Sequence, residues 1–264
     1  MTRSLFIESR QNIRIRNLRK LKEKKYRSKE GQFLVEGFRL LEEAFKARKH
    51  IVSILYAEDK ERDFNHYIRP HLHDEEIIVT TMDVIRDLSS TVHPQGIIGV
   101  ISTSSQEEES SSAIPQGVLI YLDGLQDPGN LGTIIRSAHA SGAKGILMGR
   151  NTVDPYGDKV IRSAMGSMFH VPIHENGEEL LLRYLRSGFR LAVTSLQAER
   201  DIFHEDLTGN LIIAIGNEGN GITREIEEKA DLLLRIPMPG GAESLNAAVA
   251  ASIVLFERVR QDSL

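Results

Sequence analysis

The sequence has no cysteine and no tryptophan, and aromatic residues make up only 6% of it. Without cysteine there is no disulfide framework, no thiolate nucleophile, no iron–sulfur cluster and no cysteine-ligated zinc. The lack fits a reducing compartment. Long apolar runs are missing too: none approaches the roughly 18–20 residues that a membrane span needs. Met1–Arg10 lacks the apolar core of a secretory signal. A cytoplasmic protein without membrane contact is therefore expected. Two cofactor loops are absent, G-x-G-x-x-G and G-x-x-x-x-G-K-[ST], which removes a dinucleotide dehydrogenase and a P-loop NTPase. The nine histidines show no metal-ligand spacing, and His71-Leu72-His73 stands without companions, so no metal is expected.

What is present starts with charge. The 264 residues carry a net charge of -4, an average that hides a split. The first thirty residues hold eleven basic and three acidic side chains, a net +8, which leaves −12 for the rest. Such asymmetry points to a polyanion at the basic end, because each Lys or Arg that meets a phosphate releases counterions. A solvated basic helix face is the alternative.

Periodicity places a helix over 12–27 and, after Phe33-Leu34-Val35, a second over 36–49, with Phe38, Leu41, Ala44 and Phe45 at helical spacing. Strands at 51–56, 77–80 and 97–101 and helices at 61–69 and 82–89 complete an α/β unit of residues 1–101. Residues 102–112 read STSSQEEESSS, so 102–116 is a linker by composition. From 117 to 264, apolar runs at 118–122, 145–148, 191–195, 211–215 and 232–236 alternate with helical patterns. That alternation predicts a parallel sheet, buried on both faces and covered by helices.

Ligands of such sheets sit at the carboxyl ends of the strands, so the loops there matter most. The first contains Asp127-Pro128-Gly129-Asn130-Leu131-Gly132, with Asn130 expected as a helix N-cap. The second is Gly216-Asn217-Glu218-Gly219-Asn220-Gly221, rich enough in glycine for close backbone approach. The third runs from Ile236-Pro237-Met238 to Ser244-Leu245-Asn246, where Ser244 or Asn246 is placed to cap the last helix.

Together the three loops carry a resemblance. The first, followed by Arg136, resembles motif one of the SpoU (TrmH) family of RNA 2'-O-ribose methyltransferases in the SPOUT superfamily. Ile215-Gly216-Asn217-Glu218-Gly219 resembles motif two, and the third loop resembles motif three, in the family's order. Phe33-Leu34-Val35-Glu36-Gly37 and His93-Pro94-Gln95-Gly96 resemble the substrate-binding domain often fused to this enzyme.

The resemblance implies an α/β fold whose C-terminal parallel sheet holds a deep trefoil knot, preceded by a small L30e-like α/β RNA-binding domain. It implies S-adenosylmethionine as cofactor, a homodimer, and structured RNA as substrate. The front domain favours 23S rRNA over tRNA, because the smallest tRNA-modifying relatives lack such an extension. Catalytic roles fall on Asn130, Arg136, Glu218, Ser244 and Asn246, with Asn130 orienting Arg136 or the substrate and Glu218 positioning Arg136 of its own chain or of the neighbouring subunit. Arg136 acts either as base or, since a guanidinium stays protonated, through its charge alone. Cofactor contacts, mostly from backbone, fall on Thr194, Leu196, Gly216, Glu218, Gly219, Ile236, Met238, Ser244 and Leu245. Arg14, Arg16, Arg19, Lys20, Lys24 and Lys25 are the phosphate candidates. Against these stand a tRNA methyltransferase and an RNA-binding or ribosome-assembly factor with a vestigial site. The latter predicts departures at the five catalytic positions, and the sequence has none.

Overall fold

The computed structural model describes residues 4–103, 114–195 and 198–264. The expected linker lies mostly outside them. The chain divides into two compact units. The first holds the described residues of 1–111 with Tyr156–Ile161, and the second those of 112–155 and 162–264. Tyr156 falls to the first unit, its ring 4.8 Å from that of Phe33.

The first unit contains β1 (Ser4–Ile7), α1 (Ile13–Lys20), α2 (Lys24–Glu30), β2 (Gln32–Glu36), α3 (Phe38–Lys46), β3 (Ile51–Ala57), α4 (Glu61–Tyr67), β4 (Glu76–Thr80), α5 (Met82–Leu88) and β5 (Ile97–Ser102). The strands form a mixed sheet in the order β1-β4-β3-β5-β2. The helix expected over 12–27 is two helices. The chain tightens at Leu21–Glu23, and the buried Arg27 guanidinium donates to the Leu21 and Lys22 carbonyls at 2.7 Å, satisfying groups that the break frees. The helix expected from residue 36 starts at Phe38, because Gly37 at φ 110 ends β2 first. Ile15, Leu21, Val84, Ile85 and Leu88 share one core cluster with the sheet.

The second unit contains β6 (Val118–Asp123), α6 (Pro128–Ser141), β7 (Ile146–Met148), the part of α7 (Asp158–Ala164) from Arg162 on, β8 (Ile173–His174), α8 (Gly177–Arg186), β9 (Arg190–Thr194), β10 (Arg200–Asp201), β11 (Leu211–Gly216), α9 (Arg224–Glu227), β12 (Leu232–Arg235) and α10 (Ala247–Asp262). Seven strands pair in the order β10-β12-β9-β11-β6-β7-β8, all parallel. Leu119, Tyr121, Leu191, Val193, Ile212 and Ala214 share one face with Leu181 and Tyr184 of α8. The alternate positions Ile120, Leu122, Ile213 and Ile215 are buried on the other side, where α10 meets β11 and α6 packs on α10. Double-sided burial holds for β6 and β7 throughout, and for β11 up to Ile215. It does not hold for β12, where Leu233 is 39% exposed between the buried Leu232 and Leu234. This strand lies next to the two-residue β10, which closes the sheet edge. Among the described residues, no helix is long and apolar enough to cross a membrane.

Candidate active site

The pairing of Gly216 with Asp123 and of Thr194 with Leu234 brings the carboxyl ends of β6, β9, β11 and β12 together. The loop after each strand therefore meets its neighbours at one edge of the sheet. A cavity of about 510 Å³ lies between the loops after β9, β11 and β12. Its wall includes Thr194, Gly216, Glu218, Gly219, Ile236, Met238, Ser244 and Leu245, together with Asn246. Leu196 lies outside the described residues. The volume falls within the usual span of cofactor pockets.

The second loop closes on itself. Asn217 and Gly221 exchange two backbone bonds of 2.9 Å. This tightness depends on Gly216, where a Cβ would overlap the Gly221 carbonyl and come within 2.5 Å of the Ile222 nitrogen. Asn217 Oδ1 accepts from the Gly219 and Asn220 N–H groups, while its Nδ2 donates to the Gly124 carbonyl at 2.9 Å. Asp123 accepts from the Thr223 N–H at 2.7 Å. The second loop is thus tied to the first at both ends.

A chain of side chains then joins all three loops. Asn246 Oδ1 caps α10 by accepting from the Ala248 and Val249 N–H groups, and its Nδ2 donates to Asn130 Oδ1 at 2.8 Å. Asn130 Nδ2 donates to Glu218 Oε1 at 3.0 Å. Glu218 also accepts from the Gln126 and Asp127 N–H groups at 3.2 and 3.1 Å. Desolvation pushes the Glu218 carboxyl up. The bonds from Asn130 and from the backbone N–H groups of Glu218, Asp127 and Gln126 outweigh it, so the group is held below the usual carboxylate range.

One expectation is corrected here. The N-cap of α6 is Asp127, whose side chain accepts from the Asn130 N–H at 2.8 Å, and not Asn130. Asn130 already lies in the helix, because Pro128 sets the first turn. Within the chain the side chains of Asn130 and Glu218 bond to each other, to Asn246 and to the first loop, and none of these bonds reaches Arg136. Arg136 stands six residues along α6 from Asn130, roughly 9 Å by helical rise. It is exposed and has no hydrogen-bond or ion-pair partner among the described residues. Asn217, Asp123 and Asp127 were missed. The Pro at the first helical position was the available signal for Asp127, and the Asn inside a glycine-rich turn was the signal for Asn217.

In the first unit the six basic candidates separate. Arg14 pairs with Glu76 and Arg19 with Asp87, so both brace α1 against other elements. Arg16 and Lys24 are exposed with no partner among the described residues. Lys20 and Lys25 are exposed, and their ammonium groups lie 5.8 and 4.7 Å from the Tyr26 ring. His71 stacks on Phe45. Among the described residues, no group of three or more His, Cys, Asp and Glu side chains is placed to hold a metal.

A parallel sheet with a cavity at its carboxyl edge, lined by the loops after β9, β11 and β12 and braced by the loop after β6, defines a cofactor-binding α/β domain. Residues 117–256 match the SpoU rRNA Methylase family, and residues 12–99 match the MRM3-like substrate binding domain. The chain is 35% identical to the 23S rRNA (guanosine(2553)-2'-O)-methyltransferase RlmP of Bacillus subtilis (strain 168), over 95% of this chain and 97% of that protein. It is 31% identical to the 23S rRNA (uridine(2479)-2'-O)-methyltransferase of Streptomyces viridochromogenes, over 89% and 85%. The crystal structure of an AdoMet-bound rRNA methyltransferase from Sinorhizobium meliloti superposes with a TM-score of 0.84 at 30% identity, covering 99% of both chains. The protein belongs to the SpoU rRNA Methylase family. It is an RNA methyltransferase that uses S-adenosylmethionine.

Proposed function

We propose that this enzyme methylates a ribose 2'-hydroxyl of 23S rRNA as a cytoplasmic homodimer. In this reading, residues 1–101 bind RNA, 102–116 link, and 117–264 form the catalytic domain, with a deep trefoil knot in the loops after β11 and β12. The relatives from Bacillus subtilis and Streptomyces viridochromogenes carry names that specify 2'-O-methylation of 23S rRNA, on guanosine and uridine respectively. The observation that carries the reading is the hydrogen-bonded chain Asn246–Asn130–Glu218, which ties the second and third loops, both lining the cavity, to the first.

The cavity suits the cofactor chemically. Ile215, Ile222, Leu234 and Leu245 offer apolar surface for a flat ring, and Thr194, Ser195, Ser244 and Glu243 offer polar groups for its tail. When bound, the cofactor supplies a methyl group already activated on a sulfonium, which calls for no metal. The chain supplies position and charge. Glu218 and Asn130 fix the loops. Arg136 carries a positive charge, because a guanidinium deprotonates only above about pH 12. It holds a phosphate and stabilises the negative charge that grows on the 2'-oxygen. Ser244 and Asn246 face the reacting ribose. Because Arg136 stands away from Asn130 in its own chain, it serves the cavity of the partner subunit. The exposed Val249 and Phe256, seven residues apart on α10 and 46% and 49% exposed, form an apolar stripe suited to that partner.

The test is methyl transfer from labelled S-adenosylmethionine to size-fractionated RNA from a strain lacking the gene, followed by nucleoside analysis. Label in a 2'-O-methylnucleoside of the large rRNA is expected. Label in tRNA, or only in a base, overturns the assignment. Arg136→Ala is expected to keep cofactor binding by calorimetry and to lose transfer; substantial residual transfer removes Arg136 from its role.

A further inference from the structure

We propose that the loop Ser89–Gly96, together with the turn between α1 and α2, forms a preformed platform for an unpaired base of folded RNA. The proposal rests on the RNA reading above and names where the first unit grips its substrate.

The loop follows α5 and leads into β5, and the core holds it from several sides. Glu36, at the end of β2, accepts from the Ser89 hydroxyl at 2.6 Å and from the Thr91 hydroxyl at 2.7 Å. The Thr91 N–H donates to Ser89 Oγ at 2.9 Å. At the far end, Gln95 Oε1 accepts from the Phe38 N–H at 3.3 Å, and the Gly37 N–H donates to the Ile97 carbonyl. A carboxylate and an amide are thus both committed to fixing a surface loop.

At its crest this fixed backbone presents Val92, 87% exposed, beside His93, which is exposed and has no partner among the described residues. A lone exposed valine on a mobile tip needs no explanation. Here its loop is held in place by the contacts that a ligand would otherwise have to organise, which lowers the entropic cost of binding.

The neighbouring charge identifies the ligand. Lys22, in the turn between α1 and α2, donates to the Asp87 and Ser89 carbonyls at 2.8 and 2.9 Å, so that turn touches the base of the loop. Lys20, Lys24 and Lys25 lie within three residues of it, and Arg16 one helical turn and a half back. Lys20 also donates to Asn17 and Lys25 pairs with Glu23, while Lys24 and Arg16 have no partner among the described residues. An apolar and imidazole crest bordered by exposed cations matches the two parts of a splayed nucleotide: a flat base and a phosphate. A duplex keeps its base faces stacked, and a protein partner gives no reason for the lysines.

The experiment measures binding of the full-length enzyme to a labelled transcript of its own organism's 23S rRNA. Methyl transfer kinetics and S-adenosylmethionine calorimetry accompany it. Val92→Asp with His93→Ala is expected to weaken RNA binding by roughly tenfold. KM for RNA should rise in step, with kcat at saturating RNA and cofactor affinity unchanged. A photo-crosslinking residue at position 92 is expected to label an unpaired nucleotide, which also covers a variant that fails to fold. RNA binding within twofold of wild type, or crosslinks only to paired regions, overturns the platform while wild-type methyl transfer leaves the enzymatic reading standing. A wild-type enzyme that neither binds nor methylates the transcript removes both.

Discussion

Asn130 and Asn246 each use both ends of one amide, accepting at oxygen and donating at nitrogen, so the direction of the chain from α10 to Glu218 is fixed. Glu218 terminates it as a pure acceptor, which requires the ionised form. Glu218→Gln replaces one acceptor oxygen with a donor that faces N–H groups. That costs about 1–3 kcal/mol of local order, so methyl transfer should fall roughly tenfold or more. The pH dependence follows in sign. The folded carboxyl lies below its ordinary 4.5, so its contribution is complete above that value and is lost only as pH falls through the depressed one. Cofactor affinity of the wild type should stay flat from pH 7 down to 4.5 and fall only below it, while Glu218→Gln lacks that fall. A wild-type decline already at pH 6, absent from the variant, contradicts the assignment.

Elements decide how much of this was legible beforehand. The central strands β6, β9 and β11 announce themselves as continuous apolar runs, because they are covered on both faces. The edge strands β8 and β10 have two residues each, too few to show any period, and β1 leaves Leu5 and Phe6 exposed. Loops carrying the site were readable as motifs, but their interlocking was not. Asp127 and Asn130 are both capping residue types three apart, and only the packing shows which one caps and which one links. Gly132 illustrates a demand of packing that sequence hides. It sits mid-helix in α6, where a Cβ would overlap Ser163 Cβ and lie 3.0 Å from the Ala164 nitrogen. Helix propensity alone favours Gly132→Ala by about 1 kcal/mol. Overpacking against α7 costs about 1–3 kcal/mol and wins, because one clash is with backbone. The variant should melt roughly 2–8 °C lower. An unchanged or raised midpoint in thermal unfolding would show that α6 and α7 have room to move apart.

At the scale of the whole molecule, the question is whether one chain makes one site. Arg136 lies outside the cavity of its own chain, next to the α6–α10 contact where Ser137 and Ser252 hydroxyls meet at 2.7 Å. The apolar stripe of Val249 and Phe256 starts from that same helix pair. If a second copy covers the stripe, its Arg136 arrives at the cavity that lacks one. Val249→Glu with Phe256→Glu should therefore yield a monomer near 29.6 kDa by sedimentation, without transfer activity. Loss of activity alone does not separate a shared site from a fold that needs its partner, but mixing two inactive variants does. An Arg136→Ala subunit keeps an intact cavity, and a Glu218→Ala subunit keeps an intact arginine. In a two-fold dimer of one of each, the first subunit's cavity receives the second subunit's Arg136, and one of the two sites is whole. With random exchange half of the dimers are mixed, so activity should return to about a quarter of wild type. If each arginine served its own chain, every site in the mixture would carry one lesion and no activity would return.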